Sequence, residues 1–112
     1  MPGNSPSQFQ QLQRYRTALN EIVTKLIENS ETLKKNKRPS NKNSQKSLID
    51  DAVNKSRHIL RLLERIDSYP KMIEGMNVKD IRKINAIINP LLRDAREAHR
   101  TGNELLQRFS EV

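Results

Sequence analysis

The 112-residue sequence contains no cysteine and no tryptophan, and it has only two tyrosines, two phenylalanines and three glycines. Without cysteine there are no disulfides, no thiolate nucleophile and no cysteine-based zinc site, which excludes a disulfide-stapled secreted scaffold. The glycines stand alone at positions 3, 75 and 102, so no Gly-rich phosphate loop exists. No stretch approaches the roughly 18 consecutive apolar residues of a membrane span, and Met1-Pro2-Gly3-Asn4-Ser5-Pro6-Ser7 lacks the apolar core of a signal peptide. These absences predict a soluble intracellular chain with no membrane role.

Catalytic chemistry is equally short of residues. His58 and His99 have no histidine or glutamate at a spacing that closes around a metal. Asp50-Asp51 reads as the start of a helix, where carboxylates suit the N-terminal dipole, rather than as a paired acid and base. Phe9, Tyr15, Tyr69 and Phe109 are largely separated from the basic residues, unlike the interleaved aromatics of a base-stacking platform. The expectation is a protein that is not an enzyme and carries no cofactor or metal.

What the sequence does have is charge and helical periodicity. Twenty-one Lys and Arg against thirteen Asp and Glu give a net charge of +8, which suits phosphate backbones or acidic protein segments. From Gln8, the residues Leu12, Tyr15, Leu19, Ile22, Leu26 and Leu33 follow steps of three and four with only Asn29 interrupting, predicting a first helix to about Lys35. Residues 1–7, rich in Pro, Ser and Gly, are expected to be a disordered leader or linker, with the helical domain over 8–112.

Asn36 to Ser47 predicts a loop, with Ser47 capping a second helix on Ile49, Ala52, Ser56, Ile59, Leu63 and Ile66, a stripe widened by Leu60 and Leu62. Pro70 ends that helix and starts a short third one to Glu74, near Gly75. Asn77 with Asp80 predicts the cap of a fourth helix through Ile81, Ile84, Ile87 and Ile88. Asn89-Pro90 then closes it and opens a fifth through Leu91, Ala95, Ala98, Leu105 and Phe109. Gly102 either breaks this last helix or is kept for close backbone approach.

Two features point to binding. Lys34, Lys35, Lys37, Arg38, Lys42 and Lys46 fall between Thr32 and Ser47 with no acid among them, either a solvated loop or an anchor for an acidic partner. The junction Ile87-Ile88-Asn89-Pro90-Leu91-Leu92 carries four aliphatic residues across a predicted helix boundary. It is either ordinary core or a partly exposed apolar rim.

The order of these features resembles the helical domain shared by the N-terminal region of transcription elongation factor TFIIS and the integrase-binding domain of hepatoma-derived growth factor family chromatin readers. The resemblance spans most of residues 8–109. It rests on the long first helix, Ile59-Leu60-Arg61-Leu62-Leu63-Glu64-Arg65-Ile66, the turn at Tyr69 to Glu74, Val78-Lys79-Asp80-Ile81-Arg82-Lys83-Ile84 and Leu105-Leu106-Gln107-Arg108-Phe109. It implies a compact, right-handed, all-α bundle of about five helices, one of them short, that docks acidic segments of partners through two loops at one end. By position these are Lys34 to Ser47 and Ile88 to Leu92.

The chain departs from that family in its longer, more basic first loop and in having Asn89-Pro90, with no aromatic, at the second. The expected role is a monomeric partner-docking domain of a nuclear chromatin or transcription regulator, in which the resemblance implies a PWWP domain elsewhere. Ile88, Leu91 and Leu92 would receive an apolar anchor while Lys34, Lys35, Lys37 and Arg38 meet its acids. Two alternatives stay open. One is a nucleic-acid-binding domain contacting phosphates through Lys42, Lys46, Arg82, Lys83, Arg93, Arg96 and Arg100; the other is a structural helical subunit of a complex.

Overall fold

In a computed structural model, which describes residues 8–35 and 42–111, the chain is all-helical. Three α-helices are present among the described residues: α1 (Gln8–Lys35), α2 (Lys42–Met72) and α3 (Ile81–Ser110), with a single 3-10 turn, Val78–Asp80, leading into α3. The all-α class holds, but the five-helix expectation does not. Two of its predicted boundaries are prolines that the helices run through, Pro70 inside α2 and Pro90 inside α3.

Helix α1 is helical over the whole predicted span, and its stripe is in the core: Leu12, Leu19, Ile22, Val23 and Leu26 are all buried. Helix α2 begins at Lys42, well before the predicted Ser47 cap. The added turn buries Gln45 next to the core residue Leu48, and packing of this kind overrides weak local propensity. Asp50 and Asp51 therefore lie inside the helix rather than at its dipole. Pro70 is followed by only two more helical residues, and Gly75, with φ 81°, makes the turn that ends the segment.

The predicted fourth and fifth helices are one. Pro90 removes an amide donor, yet Ile88, Leu91 and Leu92 on either side of it are 1%, 3% and 4% exposed. Their burial, on the order of 2 kcal/mol for each fully buried aliphatic, offsets a lost hydrogen bond of about 1 kcal/mol. Asn77 does sit in extended backbone before the 3-10 turn, but its side chain makes no capping bond. The amide of Asp80 instead donates to the Asn77 carbonyl at 2.8 Å.

Cross-helix contacts fix the directions. Arg16 on α1 pairs with Asp67 on α2, Arg65 with Asp94 at 3.1 Å, and Asp51 with Arg108 at 3.0 Å. Helix α2 thus runs antiparallel to both neighbours. Gln8 donates to Asn89 at 2.8 Å, and Tyr15 meets His99 edge-on with ring centroids 5.7 Å apart, so α1 and α3 are parallel. The result is long and narrow, with a radius of gyration of 17.7 Å against about 13 Å for a compact domain of this length.

Gly102 stays helical and marks the closest approach. A Cβ there would lie 2.8 Å from Ile22 Cγ2 and 3.7 Å from Ile59 Cδ1, so the second of the two sequence readings, close backbone approach, is the one observed. Because Ile22 Cγ2 sits on a stiff β-branched carbon, Gly102→Val should destabilise the chain by about 1–3 kcal/mol in urea denaturation through overpacking. The penalty should shrink in an Ile22→Ala background, and an unchanged Gly102→Val midpoint would contradict the contact.

Candidate functional site

The three helices leave three outer seams, and the two halves of the predicted docking site do not meet in any of them. Lys34 and Lys35 are exposed in the last turn of α1, and Asn89 is bonded to Gln8 at the first turn of the same helix. At 1.5 Å per residue, these lie roughly 40 Å apart along the bundle. Ile88, Leu91 and Leu92 belong to the core, so they form no exposed rim in this fold. Lys37 and Arg38 lie outside the described residues. Lys42 opens α2, and Lys46 is exposed one turn later, at the same end as Lys34.

The cations of the nucleic-acid alternative divide as well. Arg82, Arg93 and Arg96 are exposed on α3, and none of the three makes a close ion pair: the nearest, Arg93 to Asp94, is 3.9 Å, with the arginine side chain 79% exposed. Arg100 lies between Glu97 at 2.6 Å and Glu104 at 3.6 Å. The hydrogen bond to Glu97, with the attraction of both carboxylates, holds its guanidinium pKa above the usual value. Lys83 is exposed one helical position round from Arg82, on the side of α3 that carries Ile87 and Asp94 towards α2.

The seam between α1 and α2 carries features that were not predicted. Ile27 and Leu60 are each 45% exposed, and with Ser30, Glu31, Lys34, Val53, Ser56 and Arg57 they line a groove of about 240 Å³. Leu62, the other residue expected to widen the α2 stripe, is 2% exposed and joins the core, whereas Leu60 does not. In the floor, the Ser30 hydroxyl donates to the Leu26 carbonyl at 2.7 Å. The Ser56 hydroxyl, on a residue 6% exposed, has no partner. A buried hydroxyl without a hydrogen bond is costly and uncommon. Lys34 and Arg57 flank the groove, and neither is in an ion pair among the described residues.

The α2–α3 seam is bridged at two levels by Arg65–Asp94 and Asp51–Arg108, and beside the second pair an open depression of about 400 Å³ is lined by Asn54, Lys55, His58, Thr101 and Glu104. A depression between α1 and α3 is lined by Gln11, Arg14, Tyr15, Ala18 and His99. No group of three potential metal-ligating side chains forms among the described residues. Nor is any described helix long and apolar enough to cross a membrane. Comparison with protein-family models, with curated proteins and with solved structures finds no significant match.

Beyond the groove the α1–α2 seam is latched by Arg16, whose Nε and Nη2 donate to the two Asp67 carboxylate oxygens. The hydrogen bond from Arg16, together with its positive charge, holds the Asp67 carboxyl below the usual carboxylate range. A carboxylate whose pKa is depressed on folding stabilises the fold above its unfolded value near 4 and loses that contribution as pH falls through the folded value. Asp67→Asn should therefore flatten the acid limb of stability below about pH 4, measured as urea midpoints across a pH series. An acid limb as steep as wild type would show that the latch contributes nothing.

Proposed function

We propose that the chain is a non-catalytic docking module that takes an acidic, amphipathic helix of a partner protein into the α1–α2 groove. The observation that carries this reading is the pairing of Ile27 and Leu60, half exposed across the groove, with the unpartnered Ser56 hydroxyl in its floor. Covering the exposed half of two aliphatic side chains contributes on the order of 1 kcal/mol each. The apolar anchor thus moves from Ile88, Leu91 and Leu92, which are already buried, to the groove.

Charge selects the kind of helix. Lys34 and Arg57 border the groove while Glu31 is the single acid in its lining, and the chain carries +8 overall. A second copy of the same chain would bring like charge to this face, whereas an acidic helix is drawn to it. An apolar face laid into a groove with acids at its edges is an established mode of helix recognition. The setting we propose is a monomeric domain of a nuclear chromatin or transcription regulator; its support is the sequence resemblance described above and the basic character of the chain.

A displayed library of helical peptides selected on the purified protein tests the reading. Enriched peptides should combine Asp or Glu with aliphatic residues at helical spacing. They should bind an Ile27→Asp/Leu60→Asp variant at least about tenfold more weakly, a loss of about 1.4 kcal/mol, with its helical circular dichroism unchanged. Selected peptides that bind this variant as tightly as wild type would place docking elsewhere.

A further inference from the structure

The parallel pairing of α1 with α3 brings together two segments that share an unusual composition. Residues 8–20 and 81–93 contain no Asp or Glu; Gln8 bonds to Asn89 and Tyr15 packs on His99, so the start of the α1 segment lies beside the end of the α3 segment and the remainder follows in line along the bundle. Along α3 the residues Arg82, Asn85, Asn89, Arg93 and Arg96 follow one another at steps of three and four, so they form a single ridge. Its length is about 21 Å at 1.5 Å per residue. Across the seam α1 adds Arg14 beside Gln11. Of the acids near the ridge, Asp94 faces α2 to hold Arg65, Glu97 next to Arg96 is paired with Arg100, and Asp80 and Glu21 each lie one residue beyond an acid-free segment.

We infer that this α1–α3 ridge is a nucleic-acid site that follows a phosphodiester backbone. Arginine guanidinium groups and the side-chain amides of asparagine and glutamine are the donors that commonly contact phosphate and sugar, and amides also reach base edges. Arg14, Arg82 and Arg96 are in no ion pair among the described residues, and Arg93 has only the long contact to Asp94. Their charge is available to a ligand. The ridge from Arg82 to Arg96 exposes no large apolar side chain, and among the described residues the single large exposed aliphatic beside it is Ile81 at its very end, so charge and amides dominate what a ligand meets. Phe9, by contrast, stacks on Tyr69 of α2, and Ile27 and Leu60 sit in the α1–α2 groove.

The test compares two variants that remove equal charge, Arg82→Gln/Arg93→Gln/Arg96→Gln on the ridge and Lys25→Gln/Lys55→Gln/Arg61→Gln away from it. Each is titrated with labelled single-stranded and duplex 20-mers by fluorescence anisotropy at several salt concentrations, with vesicles containing an anionic lipid as a parallel arm. Wild type should bind an oligonucleotide with a log-log salt dependence. The ridge variant should lose about tenfold or more and lower the duplex slope by about three, near 0.9 per phosphate contact removed. The control variant should keep the wild-type slope to within about one phosphate contact. Arg93→Gln/Arg96→Gln alone, a milder change at exposed positions, should lower the slope by about two. Equal losses in ridge and control variants, binding to vesicles without binding to oligonucleotides, or no binding by wild type would each overturn the inference.

Discussion

The fold depends on one close approach, where the backbone of α3 at Gly102 meets Ile22 of α1 and Ile59 of α2. Three long helices can share a core this thin only if one surrenders a side chain at the level where all three converge. Alanines prepare the same approach one and two turns earlier, since Ala95 and Ala98 are 0% and 2% exposed. Leucines and isoleucines from α1 and α2 fill the space these small residues leave, which is how a chain with 34% hydrophobic residues closes a continuous core. The exposed ion pairs add little energy individually. Their contribution is to polarity and register, because Arg16 with Asp67 and Asp51 with Arg108 match only the antiparallel arrangement.

Once the helices are locked at that level, the three outer seams acquire different characters from the residues just outside the core. The α2–α3 seam is spanned by carboxylate and guanidinium groups. The α1–α2 seam keeps a strip of aliphatic carbon with a hydroxyl beneath it, and the α1–α3 seam is amides and arginines. On the two proposals above, a three-helix rod with one ion-paired side, one apolar side and one cationic side would present its two ligands with separate faces. The two proposed sites use residues from largely separate lengths of α1, Ile27 to Lys34 for one and Gln11 to Arg14 for the other.

The sequence made α1 legible because its apolar spacing is nearly regular and nothing inside it breaks helix, so residues 8–35 are helical as expected. Pro70 and Pro90 misled for the same reason. Each is a sound helix terminator by local chemistry, but Pro70 sits two residues inside the end of α2, and at Pro90 the flanking Ile88, Leu91 and Leu92 are buried strongly enough to carry the helix through. That is tertiary information. The sequence marked Lys34 to Ser47 and Ile88 to Leu92 as unusual, but nothing in one dimension says that α1 and α3 run parallel and set Lys34 and Lys35 at the opposite end of the bundle from Asn89. Ile27 and Leu60 were visible as apolar residues, and only the packing of Leu62 in place of Leu60 determines which remains exposed. The acid-free segments 8–20 and 81–93 are plain in the sequence once the structure supplies a reason to compare them.

Pro90 also divides α3 mechanically. With no amide hydrogen at that position, the Ala86 carbonyl lacks its donor four residues on, and the helix has a weak joint there. The piece before the joint commits Ile88 alone to full burial, while the piece after it carries Leu91, Leu92, Ala95, Ala98, Gly102 and Leu105. Local opening of residues 81–89 therefore costs less free energy than opening the rest of the helix, and their amides exchange with solvent sooner. Arg82, Asn85 and Asn89 stand on the softer piece and Arg93 and Arg96 on the stiffer one. Any molecule gripping both must splint the joint, so part of its binding free energy is spent on chain entropy, and tightness of binding and rigidity of this end rise together.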